Sequence, residues 1–349
     1  MKSEICIDGR LIGVSHEPYV IAELSANHNG KIENAIEILI QAKRAGADAV
    51  KLQTYTPDTI TLDSEDDAFM VHGGLWDGQS LYQLYKSAYM PWDWHKPLFD
   101  KAKELGITIF SSPFDFSAVD LLESLNAPAY KIASFELVDL PLIKRVAQTG
   151  KPMIMSTGMA NEAEIHEAIT TAKDNGCKEL ILLHCVSGYP APAAEYNLRT
   201  IPDMARRFDV LTGLSDHTID NATAVAAVAL GACVIEKHVT LDRNGGGPDD
   251  SFSLEPAELV ALCRDAKTAW SALGQVNYQK TTAELGNVKF RRSLYVVRDI
   301  AKGEFLTADN IRSIRPGFGL APKHYETVIG RKAKHDLPKG SALSFEFIE

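Results

Sequence analysis

The chain has 349 residues, 45% hydrophobic and 23% charged, a balance that suits one large globular domain followed by a small one. Its formal net charge of −10 excludes a sequence-independent nucleic-acid binder, whereas a small anionic substrate needs only a few well-placed cations. Cys6, Cys177, Cys185, Cys233 and Cys263 show no disulfide spacing, and neither an apolar leader nor a long apolar run is present. A cytoplasmic protein without membrane contact is expected.

YVIAELS (19–25) reads as a first strand. A theme then recurs: a helix end, a tight turn, a short apolar run and a polar residue. It appears in RAGADAVKLQ, ELGITIFSSP, SLNAPAYKIAS, QTGKPMIMSTG, NGCKELILLHC, RFDVLTGLSDH and ALGACVIEKHV. Amphipathic stretches such as IENAIEILIQAKRAG lie between the runs. Eight such alternations over roughly 250 residues predict an α/β fold, a (β/α)8 TIM barrel. The alternative, a doubly wound sheet, calls for a Gly-rich phosphate loop that ELSANHNG matches poorly.

Residues 54–95 form a long insertion between the second strand and its helix, read as a lid or substrate wall, with a packing flap as the alternative. The barrel pattern spans 1–273, residues 274–287 read as a linker, and 288–349 form a small β-rich basic domain. Within it RDIAKGEFL and HDLPKGSAL make a short internal repeat.

Barrel enzymes gather their chemistry at the C-terminal strand ends. There the sequence places Glu23, Asn27, His28, Lys51, Gln53, Ser111, Ser112, Asp115, Lys131, Ser134, Glu136, Ser156 and Thr157. His184, Ser187, Tyr189, Ser215, Asp216, His217, Glu236, Lys237 and His238 complete the series. His217 and His238 end adjacent strands, so two imidazoles converge where a divalent metal such as Mn²⁺, with Mg²⁺ or Co²⁺ as alternatives, can act as a Lewis acid. Glu23 is a candidate third ligand or a substrate contact, whereas His28 and His184 read as site-wall or packing residues.

Lys51 and Lys131 interrupt apolar strands, which is costly unless an anion pairs with them. Ser111, Ser156, Thr157 and Ser215 complete a phosphate and carboxylate cradle. Two other readings fit the same lysines, pairing with Glu136 or Glu23 as scaffolding or Schiff-base aldolase chemistry, and a metal-dependent aldolase is a further alternative for the barrel. In NGGGPDDSFSLEP (244–256) the glycines suit close backbone approach to a ligand, with Asp249 and Asp250 as acceptors for sugar hydroxyls or an amide. A barrel serving only as scaffold for a C-terminal sugar- or ice-binding module would leave the polar strand ends unexplained.

IAELSANHNG, GADAVKLQ, SSPFD, MSTGMA, HCVSGYP, GLSDHT, EKHVTLD and GGGPDDSFSLEP together resemble the sialic acid synthase family. RRSLYVVRDIAKGEFLTADNIRSIRPGFGL is similar to that family's antifreeze-like (SAF) domain. The resemblance implies a transferase that joins phosphoenolpyruvate to an open-chain N-acetylated sugar aldehyde with water, giving a nine-carbon 2-keto acid and phosphate. KLQTYTPDTITLD and APAAEYNLRTIPDM point to the branch using 2,4-diacetamido-2,4,6-trideoxy-altrose, with N-acetylmannosamine or a legionaminate-type sugar as the alternative.

By the same resemblance Lys51, Lys131, Ser156 and Ser215 bind phosphoenolpyruvate. Glu23 binds sugar and serves as an acid–base, and Glu136 activates water. Gln53, Tyr189 and Asp249 line the sugar site. Arg315 reaches the sugar in a partner subunit's barrel, implying a domain-swapped homodimer, and a metal at His217 and His238 polarises the aldehyde.

Overall fold

At Asp8–Gly9 both residues take positive φ, 47° and 80°, the backbone that a two-residue hairpin turn demands. The turn joins β1 (Ile5–Ile7) to β2 (Arg10–Ile12), antiparallel, with Ile5 opposite Ile12. This hairpin precedes the first predicted strand and adds to the eight. The computed structural model describes residues 4–349, and two compact units divide the chain after Gly274.

In the first unit, strands follow in chain order as β3 (Tyr19–Glu23), β4 (Ala49–Thr54), β5 (Thr108–Pro113) and β6 (Tyr130–Ile132). Next come β7 (Met153–Ser156), β8 (Leu180–Cys185), β9 (Leu211–Asp216) and β10 (Val234–His238). Each pairs in parallel with the next, and β10 returns to β3 to close the barrel. The predicted (β/α)8 barrel is therefore the observed fold, and the doubly wound alternative is excluded.

Strand residues alternate between the barrel interior and the helices outside. Outward residues such as Val20, Ala22, Val50, Leu52, Leu214 and Ile235 pack with helices including Ile32–Ala45 and Pro256–Leu273. Inward residues Tyr19, Ile21, Ala49, Phe110, Ile154, Ile181 and Val234 form a separate interior cluster with Ile5, Ile7 and Ile12 of the hairpin. The hairpin thus stoppers the N-terminal end of the barrel. Buried side chains of this size contribute roughly 1.5–3 kcal/mol each, so the lower half is a packed core.

The second unit, Gln275–Glu349, holds an antiparallel pair, β11 (Ser293–Val296) and β12 (Ile311–Ile314). Leu294, Val296, Ile300, Ile311, Leu337 and Leu343 lie in its core. Residues 275–292, which include most of the predicted linker, are exposed throughout. The short internal repeat has a structural counterpart. Ile300 and Leu337 exchange backbone hydrogen bonds of 2.9 and 2.8 Å. Asp299 accepts from Lys339 N at 2.6 Å, and Asp336 accepts from Lys302 N at 2.7 Å. Each arm caps the other's turn.

Among the described residues no helix is long and apolar enough to cross a membrane, and none of the five cysteines forms a disulfide.

Candidate active site

The inward series that is apolar at the bottom of each strand turns polar at the top. On β4 it reads Ala49, Lys51, Gln53, and on β10 it reads Val234, Glu236, His238. Lys51 Nζ lies 3.0 Å from Glu236 Oε1 and 3.2 Å from Glu23 Oε2. Lys131 Nζ lies 3.7 Å from the same Glu236 oxygen and donates to Ser156 Oγ at 2.7 Å. Ser215 Oγ also donates to Glu236 Oε1, at 3.3 Å. One carboxylate therefore faces two ammonium groups.

The distances decide how each charge behaves. Burial opposes ionisation of Glu236, but Lys131 and Lys51 outweigh it and hold the carboxyl below its ordinary range. Burial likewise opposes the charge on Lys51, and the two adjacent carboxylates, Glu23 and Glu236, hold its pKa above the usual lysine value. Lys131 is farther from Glu236, so burial wins and lowers it to about 8. The floor has cationic capacity to spare for an anion bearing phosphate and carboxylate.

Above this floor is a cavity of about 330 Å³. Glu23 accepts from Gln53 Nε2 at 2.9 Å, and burial raises its carboxyl against the pull of Lys51. Gln53 Nε2 also reaches Ser25 Oγ at 3.0 Å, and Ser25 donates to Asp249. Tyr55, Ile60, Trp76, Leu84, Tyr85 and Ala88, all from the insertion, form an apolar wall. Trp76 Nε1 donates to the Pro248 carbonyl at 3.2 Å, and its ring centroid is 6.0 Å from that of Tyr189. Insertion and 244–256 loop are thereby fastened across the mouth.

His217 and His238 face each other with ring centroids 5.3 Å apart. The His217 ring Nδ1 lies 2.9 Å from the Val186 carbonyl. Donation there leaves Nε2 with a free lone pair. His238 Nδ1 is buried without a hydrogen-bond partner among the described residues, 3.9 Å from Asp249 Oδ2. Burial, together with the positive groups His217, Lys51 and Lys131, drives the His238 pKa well below its ordinary range, so this imidazole is neutral as a ligand must be.

Burial disfavours a charge on His217, yet the Cys185 thiol and the Val186 carbonyl outweigh it and move its pKa up. A cation arriving here therefore competes with a proton. No set of three or more His, Cys, Asp or Glu side chains among the described residues is arranged around a metal. Two imidazoles, one of them with an orphan nitrogen, fit a dication whose other positions go to water and substrate. Glu23 is engaged by Lys51 and Gln53 instead.

Glu136 sits on the single turn Phe135–Val138 after β6. It lines the cavity, and its Oε2 is buried without a partner among the described residues. Burial pushes its carboxyl up to about 7, the range in which a group both takes and gives protons at neutral pH.

Lys51, Lys131, Ser156, Ser215, Glu23, Gln53, Glu136, Tyr189, Asp249, His217 and His238 thus share one cavity. Ser111 is a correction. It pairs with Leu52 in the β4–β5 register, faces outward, and meets Thr54 Oγ1 at 2.6 Å behind the wall. The inward hydroxyl at this level is Ser112, 3.5 Å from Lys51 Nζ.

The 244–256 loop brings another correction. Asp250 is 1% exposed and fully engaged by Thr240, Asn29 and the Gly247 amide at 2.5, 2.9 and 2.7 Å. A Cβ on Gly247 would stand 1.9 Å from Asn29 Oδ1, so this glycine admits a protein side chain, not a ligand. Asp115 caps the helix Phe116–Ser124 and His184 bonds the Tyr196 carbonyl, both away from the cavity. Arg315 belongs to the second unit, exposed and next after β12. Glu236 is the central residue that sequence reasoning left without a role. Its signal was parity, since it is two residues from His238 and so on the same face.

Residues 38–278 match the NeuB family and residues 291–349 match the SAF domain. The chain is 44% identical to a pseudaminic acid synthase of Campylobacter jejuni over 325 residues, 93% of this chain and 95% of that one. It is also 44% identical to a pseudaminic acid synthase of Helicobacter pylori over 333 residues, 95% of this chain and 98% of the relative. The crystal structure of the spore coat polysaccharide biosynthesis protein SpsE of Bacillus subtilis superposes with a TM-score of 0.68 at 34% identity, covering 99% of both chains.

Because Glu136 binds its proton up to about 7 in the fold against an ordinary 4.5, its ionisation costs stability progressively as pH rises through that window. Replacing it by glutamine removes the cost, on the order of 3 kcal/mol once both states are ionised. Thermal melting of Glu136→Gln against wild type should give a gain that is small at pH 5 and largest at pH 8. A gain independent of pH counts against the assigned environment.

Proposed function

Because this chain belongs to the NeuB family, we propose that its barrel condenses phosphoenolpyruvate with the open-chain aldehyde of 2,4-diacetamido-2,4,6-trideoxy-altrose and water, giving pseudaminate and phosphate. The observation that carries the reading is Glu236 Oε1 between Lys51 and Lys131, beneath a cavity that also holds Glu23 and Glu136. The 44% identity to pseudaminic acid synthases supports the choice of sugar.

Lys51 and Lys131 hold the phosphate and carboxylate of phosphoenolpyruvate, with Ser156 and Ser215 completing the cradle. Lys51, held above the usual lysine pKa by its two carboxylates, is a poor amine nucleophile, so a Schiff base would fall to Lys131, lowered to about 8. Gln53, Tyr189 and Asp249 orient the sugar so that its aldehyde carbon meets the enol CH₂. A divalent cation at His217 and His238, Mn²⁺ in our reading, would supply Lewis-acid polarisation of the aldehyde oxygen.

The enol carbon bonds to the aldehyde carbon, and Glu23 in its protonated form gives a proton to the oxygen that becomes a hydroxyl. Glu136 then takes a proton from water as the water oxygen bonds to C2, forming a tetrahedral centre that carries phosphate. The bond from C2 to the bridging oxygen breaks, the C2 hydroxyl gives its proton to the departing phosphate, and the 2-keto group remains. Arg315 completes the sugar site of the partner in a domain-swapped homodimer. The absence of disulfides among the five cysteines supports a reducing, cytoplasmic setting for this reaction.

With ¹⁸O at the bridging position of phosphoenolpyruvate, mass spectrometry should find the label in phosphate and pseudaminate as the product. Turnover of N-acetylmannosamine in preference to the diacetamido sugar would move the chain to another branch. Chelation should abolish phosphate release and Mn²⁺ should restore it, whereas activity indifferent to chelation removes the cation from the reaction. Arg315→Ala and Glu136→Gln, each inactive alone, should regain activity when their subunits are mixed and exchanged. Failure to complement rules out the swapped arginine.

A further inference from the structure

Behind the two imidazoles, on the outer face of the barrel wall, lies a buried polar cluster that does not line the cavity. Asp216 and Lys237 are register partners on β9 and β10. Each immediately precedes one of the histidines in sequence, and on β10 strand alternation turns Lys237 away from the side on which His238 projects. The outward pair one layer below, Leu214 and Ile235, is also in register and wholly apolar. At the level of the imidazoles, therefore, the wall changes from a hydrocarbon contact to an ion pair.

The cluster is saturated. Lys237 Nζ lies 2.7 Å from Asp216 Oδ2, 2.7 Å from the Thr218 carbonyl and 2.6 Å from the Asp220 carbonyl. Asp216 Oδ1 accepts the Thr218 amide at 2.9 Å. The Tyr196 hydroxyl accepts the His217 amide at 2.6 Å. Asp216 and Lys237 are each 1% exposed. A buried ion pair gives little stability over a well-packed apolar pair. What it does give is a fixed distance and direction between two strand ends, together with a pinned 216–220 turn.

We propose that Lys237, Asp216 and Tyr196 are positioning residues that fix the backbone of His217 against β10, so that its ring and that of His238 can hold one divalent cation. The inference rests on the reading of that pair as a cation site. None of the three lines the cavity.

The test is the double variant Asp216→Leu/Lys237→Met, which copies the apolar layer below, beside Tyr196→Phe, which keeps the ring and removes the hydroxyl. Mn²⁺ affinity of the metal-stripped protein is read by electron paramagnetic resonance of free Mn²⁺. The His217 ring tautomer is read by ¹⁵N NMR in metal-free protein at alkaline pH, where the imidazole is neutral, assigned through His217→Gln. The double variant should melt cooperatively yet lose about 10–100-fold in Mn²⁺ affinity, the usual effect of removing outer supports of metal ligands. Tyr196→Phe should lose about tenfold, and both should replace the single Nδ1–H tautomer by a mixture.

Wild-type-like affinity and an unchanged tautomer in the variants overturn the proposal. If the double variant does not fold, Tyr196→Phe decides. If wild type itself takes up no Mn²⁺, the cation reading fails with everything built on it. Loss of Mn²⁺ affinity only in the variants supports both.

Discussion

The carboxylate of Glu236, set between the ammonium groups of Lys51 and Lys131, is the constraint around which the site is arranged. Two buried lysines on neighbouring parts of one barrel repel each other and lose hydration. Glu236, joined at Lys51 by Glu23, offsets the penalty there, whereas at Lys131 burial prevails and leaves an ammonium group in want of an anion. The arrangement works only where water is scarce, and the apolar layer beneath and the helices outside supply that dryness. The same dryness raises Glu23 and Glu136 into the range of neutral-pH proton transfer. Charge balance on the floor and proton chemistry on the walls thus share one cause.

Much of this was legible in the sequence because the barrel repeats one physical pattern. Apolar runs ending in a charged residue marked the strand tops, and Lys51, Lys131, His217 and His238 stood out as charged or ligating groups in hydrocarbon surroundings. What escaped depended on parity and packing. In IEKHV three polar residues adjoin, and only alternation separates Glu236 and His238 inside from Lys237 outside. In SSP the same rule selects Ser112 over Ser111, but the register that settles it belongs to the β4–β5 pair and not to either strand. Asp8–Gly9 carried a hairpin signal of its own, obscured because its flanking strands are three residues each.

The 244–256 loop illustrates a different gap. A glycine-rich stretch beside an active site suggests room for a ligand, whereas Gly247 makes room for Asn29, which in turn holds Asp250. Asp249, one residue earlier, is left free to face the cavity. Adjacent aspartates therefore divide between holding the loop and lining the site. Sequence alone cannot distinguish them, since the choice is made by a side chain more than two hundred residues away. In the second unit, by contrast, a short repeat in sequence became a reciprocal exchange of caps between its two arms.

The stopper formed by β1 and β2 has a consequence for traffic. With Ile5, Ile7 and Ile12 sealing the strand starts, the barrel is a blind vessel. Whatever reaches the lysines descends past Trp76 and Tyr189, and whatever is made there leaves by the same opening. On the proposed reading the floor takes phosphoenolpyruvate and the mouth takes the sugar, so the first is to be seated before the second. An empty floor beneath a filled mouth is a dead end, from which the upper guest must back out before turnover resumes. The hairpin farthest from the lysines thus leaves the cavity a single face to open on.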